Sequence, residues 1–454
     1  MLKMKMKFNI SLALLLALSV SLTSCFKNDE DDIFDKSASE RLEQVKKDYT
    51  DILTDKGGKW ELQYFANESE EGYDYLLTFN KNGTVQISGY NEWIGVAQTG
   101  NPSDDVYGTD NSLWEIATDN GPVLSLNSFN KVFHIFADPA DIPTTDTNEG
   151  GRGHEGDYEF DLMKHSGDTI YLEGKKHGLK MIMTRVAADV NDETYLSEVQ
   201  DLKGNLFSPK IPRIYMTLAD GTRYVINGGS DGIISYFPEG TDSIVTTESA
   251  NCIVSHEGLA FLSSLKVAGH NIQRFVRQDD GSLLCTDDGK SVISAGPLAG
   301  VVTHKSLSWN FDAKALGGRY QQLFDNIKEQ ISQKKSYSFG GIRFYYDEKR
   351  LGGDSAYVIE VALRVKVGTS TATPKPLFKV TPVIGADGTL KFTNLTVTNV
   401  DRASTYIATF PAIKEFLDAL AADTFTLSSA SALSPTVIKA TSASSDADYI
   451  TIGL

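Results

Sequence analysis

Cysteine is scarce, with three in 454 residues, and that excludes a scaffold held together by disulfides. Proline (13) and glycine (38) are too few and too irregularly spaced for a collagen-like fibre. Positive charge is in deficit: 43 Lys and Arg face 60 Asp and Glu, a formal net charge of −17. A surface of that sign repels phosphate backbones, and without a contiguous basic stripe no nucleic-acid partner is expected. Apolar runs fall short of the ~20 residues of a membrane-crossing helix. What is there is a 41% hydrophobic content, which over this length buries the cores of roughly two or three domains.

The one sustained apolar stretch, Phe8 to Leu22, follows Lys3, Lys5 and Lys7 and reads as an export signal over residues 1–24. It runs into Leu22-Thr23-Ser24-Cys25, which resembles the lipobox of bacterial lipoprotein precursors. That resemblance implies a lipidated Cys25, with membrane lipid as its partner. Acyl chains contribute roughly 0.8 kcal/mol per buried methylene, so several of them anchor a chain that otherwise stays in water. Residues 25–36, with Lys27-Asn28-Asp29-Glu30-Asp31-Asp32, are expected to be a tether and resemble the acidic signal of surface-exposed Bacteroidetes lipoproteins. The location expected is the outer membrane, facing the cell exterior. Cys252 and Cys285 lie in apolar surroundings, where two buried free thiols are expected ahead of a bridge.

The folded part opens on Ser37 and Glu40, which match a capping box, and Leu42, Val45, Tyr49, Ile52 and Leu53 share one helical face before Gly57-Gly58. Period-two alternation follows in Trp60-Leu62-Tyr64 and in Tyr73-Tyr75-Leu77-Phe79, and an Asn82-Gly83 turn makes the first hairpin. Further strands are read at 113–116, 123–126, 132–136, 158–163, 170–173 and 179–184, with long loops at 98–112 and 138–157. Residues 37–190 therefore predict an antiparallel barrel- or sandwich-like domain, because no stretch is free for the crossover helices of a parallel sheet. A junction with a helical turn or two spans 186–212. A second β-rich, α+β domain is expected over 204–454, with a further division near 305 if it divides. Its helices are read around Tyr320–Ile331 and from Pro411. The chain is thus mainly β, with a repeat of helix and aromatic strand read at 40–65 and 320–346.

Motifs for catalysis fail on context. Gly151, Gly153 and Gly156 fit a dinucleotide fingerprint by letter, yet a strand follows where a helix is required. Ser230 sits in G-x-S-x-G before another strand. His154-Glu155 and His256-Glu257 begin H-E-x-x-H and end in Tyr158 and Ala260, so no metal and no cofactor is expected. Glu159, Asp161 and Glu173 fall on adjacent predicted strands, the one arrangement open to glycoside hydrolysis. His134 reads as a hydrogen-bonded core residue. Trp93, beside a long loop, is the candidate stacking platform for a ligand, and Lys175, Lys176 and His177 at a turn are candidate ligand contacts.

Beyond these, Ser39-Glu40-Arg41-Leu42, Gly58, Trp60, Gly72-Tyr73-Asp74-Tyr75, the run Gly121 to Asn130, His134, Gly156-Asp157-Tyr158-Glu159-Phe160 and Leu172-Glu173-Gly174-Lys175-Lys176 resemble an uncharacterised Bacteroidetes lipoprotein family, domain of unknown function 4302, over residues 40–190. The resemblance implies an accessory of outer-membrane nutrient uptake, with transporter components as partners; a glycan or peptide is the ligand expected. It carries no catalytic residue. An envelope hydrolase and a structural or adhesive lipoprotein are the alternatives.

Overall fold

The computed structural model describes residues 37–99, 105–137, 154–207, 209–228, 232–241 and 247–454. The expected signal, tether and Cys25 lie outside them, as do Gly151, Gly153, Ser230 and most of the loop read at 138–157. Helix α1 (Ala38–Thr54) starts on the box read from the sequence. The Glu40 N–H donates to Ser37 Oγ at 3.3 Å, and the Ser37 N–H donates to Glu40 Oε2 at 3.0 Å. Ser37→Ala is expected to cost about 1 kcal/mol, seen as a lower urea midpoint at constant slope. An unmoved midpoint would mean that packing alone holds the helix.

Nine strands follow: β1 (Lys59–Phe65), β2 (Gly72–Phe79), β3 (Thr84–Asn91), β4 (Val106–Leu113), β5 (Glu115–Thr118), β6 (Pro122–Ser125), β7 (Glu159–Ser166), β8 (Thr169–Gly174) and β9 (Lys180–Arg185). Neighbours pair antiparallel and β9 returns to β1. β4 and β5 form one bent stave, with Trp114 at the bend donating from Nε1 to the Asn80 and Thr84 carbonyls. About eight staves enclose a bore that side chains just fill, and here Trp60, Tyr64, Tyr75, Phe79 and Phe160 fill it. α1 closes one end, where the Leu53 carbonyl accepts Trp60 Nε1–H at 2.9 Å.

Residues 130–136 plug the bore with Phe133, which lies 4.9 Å from the Tyr64 ring. The strand expected at 132–136 is instead a turn ending in a 3-10 helix, His134–Phe136. Asn130 imposes it: its Oδ1 accepts the Val132 and Phe133 N–H groups at 3.0 and 3.1 Å, a local cap that competes with a ladder. The loop expected over 98–112 is also corrected, since residues 106–113 are β4 and pair along the whole of β3.

Helix α2 (Glu92–Thr99) lies between β3 and β4, and helix α3 (Asp192–Phe207) is longer than the turn or two expected at the junction. A second ring follows: β10 (Ile214–Thr217), β11 (Arg223–Gly228), β12 (Ile233–Pro238), β13 (Glu248–Ser255), β14 (Gly258–Val267), β15 (His270–Arg277), β16 (Leu283–Cys285) and β17 (Val292–Ser294). It closes by pairing β17 with β10. Cys252 and Cys285 are buried in it as free thiols. The two barrels touch where Ile253 of β13 bridges to Gly72 of β2. Any side chain at 72 would strike Ile253 and the Phe65 ring, so the close approach requires glycine. β1 is consequently buried on both faces, inward by the barrel core and outward against β13.

Helix α4 (Leu298–Val302) leads to a third unit: β18 (Ser308–Gly317), helix α5 (Gly318–Ser332), β19 (Tyr337–Asp347), β20 (Ala356–Val367), β21 (Ser370–Ala372), β22 (Leu377–Ile384), β23 (Leu390–Val397), helix α6 (Ala403–Thr409), helix α7 (Pro411–Ala422), β24 (Thr424–Ser428), β25 (Val437–Ser442) and β26 (Ser445–Gly453). With the β21 ribbon set aside, the order strand, helix and three strands occurs twice. The last strand of each copy pairs with the first of the other, β22 with β23 and β26 with β18. The order of elements thus repeats within 308–453, while the helix and strand read at 40–65 and 320–346 are present as α1 with β1 and α5 with β19, in separate sheets. Strands 214–294 share a hydrogen-bonded system with the first barrel, so the strand system changes between Ser294 and Ser308.

Candidate functional site

The two barrels leave a cleft of about 720 Å³ between them, and such junctions are favoured places for ligand sites. Irregular backbone shapes it from both sides. In β7 the register against β8 slips between Leu162 and Lys164, which leaves Met163 as the extra residue, 60% exposed. In β14 the slip is larger. Ala260 faces Arg274 and Leu265 faces Ile272, so Phe261, Leu262, Ser263 and Ser264 all stand against Gln273. Bulges break the ladder and re-aim side chains, and both of these line the cleft. Their freed carbonyls need donors. Gln273 supplies one, with Nε2 3.3 Å from the Phe261 carbonyl.

Phe65, Ile253 and Phe261 make an apolar floor, and polar groups from both barrels are fixed around it. Buried Gln63 accepts Arg274 Nη2 on Oε1 at 3.1 Å and donates from Nε2 to Ser255 Oγ at 3.1 Å. Asp287 Oδ2 accepts the Gln273 and Arg274 N–H groups at 2.7 and 3.0 Å, which leaves that carboxylate engaged by its own backbone. Tyr171, 42% exposed, and Met163 remain to meet a ligand. The chemistry on offer is apolar contact with oriented amide and guanidinium donors.

A second polar layer lies behind the floor. Glu61 accepts the His256 N–H and Thr184 Oγ1–H, each at 3.1 Å, and Tyr195 of α3 stacks on His256 with ring centroids 4.1 Å apart. Asp74 stands opposite Gln63 on β2, is buried, and accepts no hydrogen bond at either oxygen. Burial first, then the negative charge of Glu61, hold the Asp74 carboxyl well above the usual carboxylate range.

Most of the residues singled out from sequence gather elsewhere on the first barrel. Trp93 is half-buried on α2. Its Nε1–H donates to Tyr73 OH at 2.7 Å, and its ring packs 4.6 Å from His154, whose Nδ1 lies 2.6 Å from Glu70. Lys175, Lys176 and His177 form the β8–β9 turn and clamp residues 155–157: the Lys176 and His177 N–H groups donate to Asp157, and His177 Nε2 lies 2.8 Å from the Glu155 carbonyl. Lys175 pairs with Asp119 at 2.7 Å. These groups are engaged in holding segment 154–157 over the barrel mouth, where Gly156 leaves room for the Tyr64 hydroxyl. Asp161 and Glu173 do meet as a cross-strand pair, with Lys180 opposite Glu173 on the other side.

Of the residues singled out from sequence Glu173 alone lines the cleft; the others that shape it were not anticipated, although a signal exists. Alternation places Leu259, Phe261, Leu265 and Val267 on one face, but the beat between them at Ser263 is polar and Leu262 is an apolar residue off the beat. Met163 breaks it in the same way after Phe160 and Leu162. A missed beat within one strand marks a bulge.

Residues 30–279 match the family described as Domain of unknown function (DUF4302), more than half of the chain, and the protein belongs to that family. No curated protein matches. Among solved structures, the beta subunit of DNA polymerase from Streptococcus pyogenes is 8% identical over 90% of this chain and 97% of its own, with a TM-score of 0.13. A porin-like protein from Bacteroides uniformis is 9% identical over 87% and 95%, with a TM-score of 0.08. Scores that low carry no argument. The family match covers both bulges of the cleft and stops short of the third unit.

Proposed function

We propose that the protein is a lipid-anchored accessory of outer-membrane nutrient uptake that captures a peptide or glycan with an apolar face in the cleft between its barrels. The observation that carries the reading is the convergence of two bulges, one from each barrel, on one cavity inside the family-matched region. Acylation of Cys25 and the tether would hold the barrels at the membrane surface, and residues 1–25 have the charge and length pattern that such anchoring needs. Capture asks for no bond-making, only a preformed concavity with fixed donors.

Short peptides and neutral oligosaccharides screened by thermal shift against the full chain in detergent test the cleft. A double substitution, Met163→Glu with Leu262→Glu, is expected to weaken any ligand found by at least about tenfold, because it puts charge on an apolar wall. Met163 is exposed, whereas Leu262 is half-buried against the first barrel's core, so the variant is expected to unfold at a lower midpoint and binding is compared well below it. Equal binding by the variant would move the site elsewhere. Palmitate labelling, lost in Cys25→Ser, tests the anchor separately.

A further inference from the structure

The other large cavity, about 780 Å³, opens beside β19 and β20 of the third unit, outside the family match. In a chain with a surplus of acids its walls gather five cations, Lys305, Arg343, Lys349, Arg350 and Lys375, against three acids, Asp347, Glu348 and Glu360, of which Glu360 is taken up by Arg343 and Arg350 and Asp347 accepts the Arg350 N–H. Glu360 is the scaffold. Its side chain is 1% exposed; Oε1 accepts Arg343 Nε and Nη2 at 3.1 and 2.7 Å, and Oε2 accepts Arg350 Nη1 at 2.8 Å and the Tyr345 hydroxyl at 3.0 Å. Arg350 Nη2 reaches on to Asp401 and the Lys375 carbonyl. Arg343 thus keeps its Nη1 donors uncommitted among the described residues, while its plane is fixed from behind.

The three lysines differ from the arginines. Lys305 lies over the Tyr346 ring, 4.6 Å from its centroid. Neither it, Lys349 nor Lys375 forms a salt bridge with a described residue. Solvated surface lysines need no partner, but three of them converging with an arginine on one concavity repel one another. That repulsion is relieved by an anion. Ser308 Oγ, buried without a hydrogen-bond partner, lies in the same wall. The cavity is far larger than a lone inorganic ion, and Tyr345 adds a ring to its lining.

We propose that this cavity binds a sugar carrying two or more sulfate or carboxylate groups, as a second ligand site independent of the cleft between the barrels. Arg343 takes one oxyanion by its free guanidinium edge, and Lys349 and Lys375 take a second as point charges.

Titration calorimetry on the full chain in detergent tests it, with a sulfated heparin disaccharide, digalacturonate and sodium sulfate as probes. One of the two sugars is expected to saturate the site, to bind more weakly as salt rises, and to lose at least about tenfold in affinity in the double variant Lys349→Gln with Lys375→Gln. These side chains make no ion pair with a described residue, so unfolding of the variant is expected to match the parent. The Met163→Glu, Leu262→Glu variant is expected to bind the sugar normally, which separates this site from the cleft. Absence of binding by both sugars, sulfate binding as tightly as the sugar, or an unchanged affinity in the lysine variant would overturn the proposal.

Discussion

Glu360→Ala is expected to lower the unfolding free energy by about 3 kcal/mol, the low end for breaking a buried ion pair. The carboxylate is buried at 1% exposure, while the Arg343 and Arg350 side chains are 38% and 31% exposed. Removing the acid leaves two guanidiniums facing each other, and their partial access to water keeps the loss from rising further. Arg343→Ala is expected to cost less, about 1–2 kcal/mol, because Glu360 keeps Arg350 and the Tyr345 hydroxyl at 2.8 and 3.0 Å. Burial, with the Glu360 charge, pushes the Tyr345 phenol up to about 12, so that hydroxyl still donates throughout the neutral range. Denaturant midpoints at constant slope measure both variants. Equal losses from Glu360→Ala and Arg343→Ala would show that the carboxylate does not organise the cluster.

The parts of this fold that sequence discloses are those fixed by local chemistry. Ser37 and Glu40 announce a helix start because the two side chains satisfy each other's backbone donors. Trp60, Leu62 and Tyr64 announce a strand because every second residue fills the bore. Barrel closure is not local: pairing β9 with β1 joins residues more than a hundred apart, and no letter in either strand names its partner. The outer face of β1 is a sharper case. Glu61 and Gln63 alternate with the bore-filling residues and so face outward, yet both are buried because a second barrel and α3 cover them. His134 was recognisable as a bonded core residue, but its strand was not real, since the decisive group is the Asn130 side chain four residues earlier. The cleft stayed hidden for a related reason. Its walls come from strands 163 and 261–264, far apart in sequence, and each bulge shows only as a missed beat in the alternation.

Asp74→Asn is expected to stabilise the protein at mildly alkaline pH by about 1–3 kcal/mol, the scale of a buried polar group left unpaired. Asp74 is packed against Glu61 on β1, with Glu257 also contributing negative charge, and both of its oxygens lack a donor. In the folded chain its carboxyl lies well above the ordinary 3.8, so the folded state holds a proton that the unfolded state releases. The stability contributed by that proton is complete below about pH 3.8, the unfolded value, and is lost as pH rises through the folded one. Other carboxylates act in the opposite sense: hydrogen bonds from Arg319 and Tyr320 hold Asp423 below its usual range despite its burial, and its contribution disappears on acidification. The pH profile of the parent alone therefore mixes both. The difference between parent and Asp74→Asn isolates the one group, because asparagine is uncharged throughout this range and every other titrating group is common to both. Unfolding curves across pH 4 to 9 are expected to coincide within error at the acid end and to separate in favour of the variant as pH rises. A variant less stable than the parent at the alkaline end would mean that Asp74 is ionised and well solvated in the folded protein.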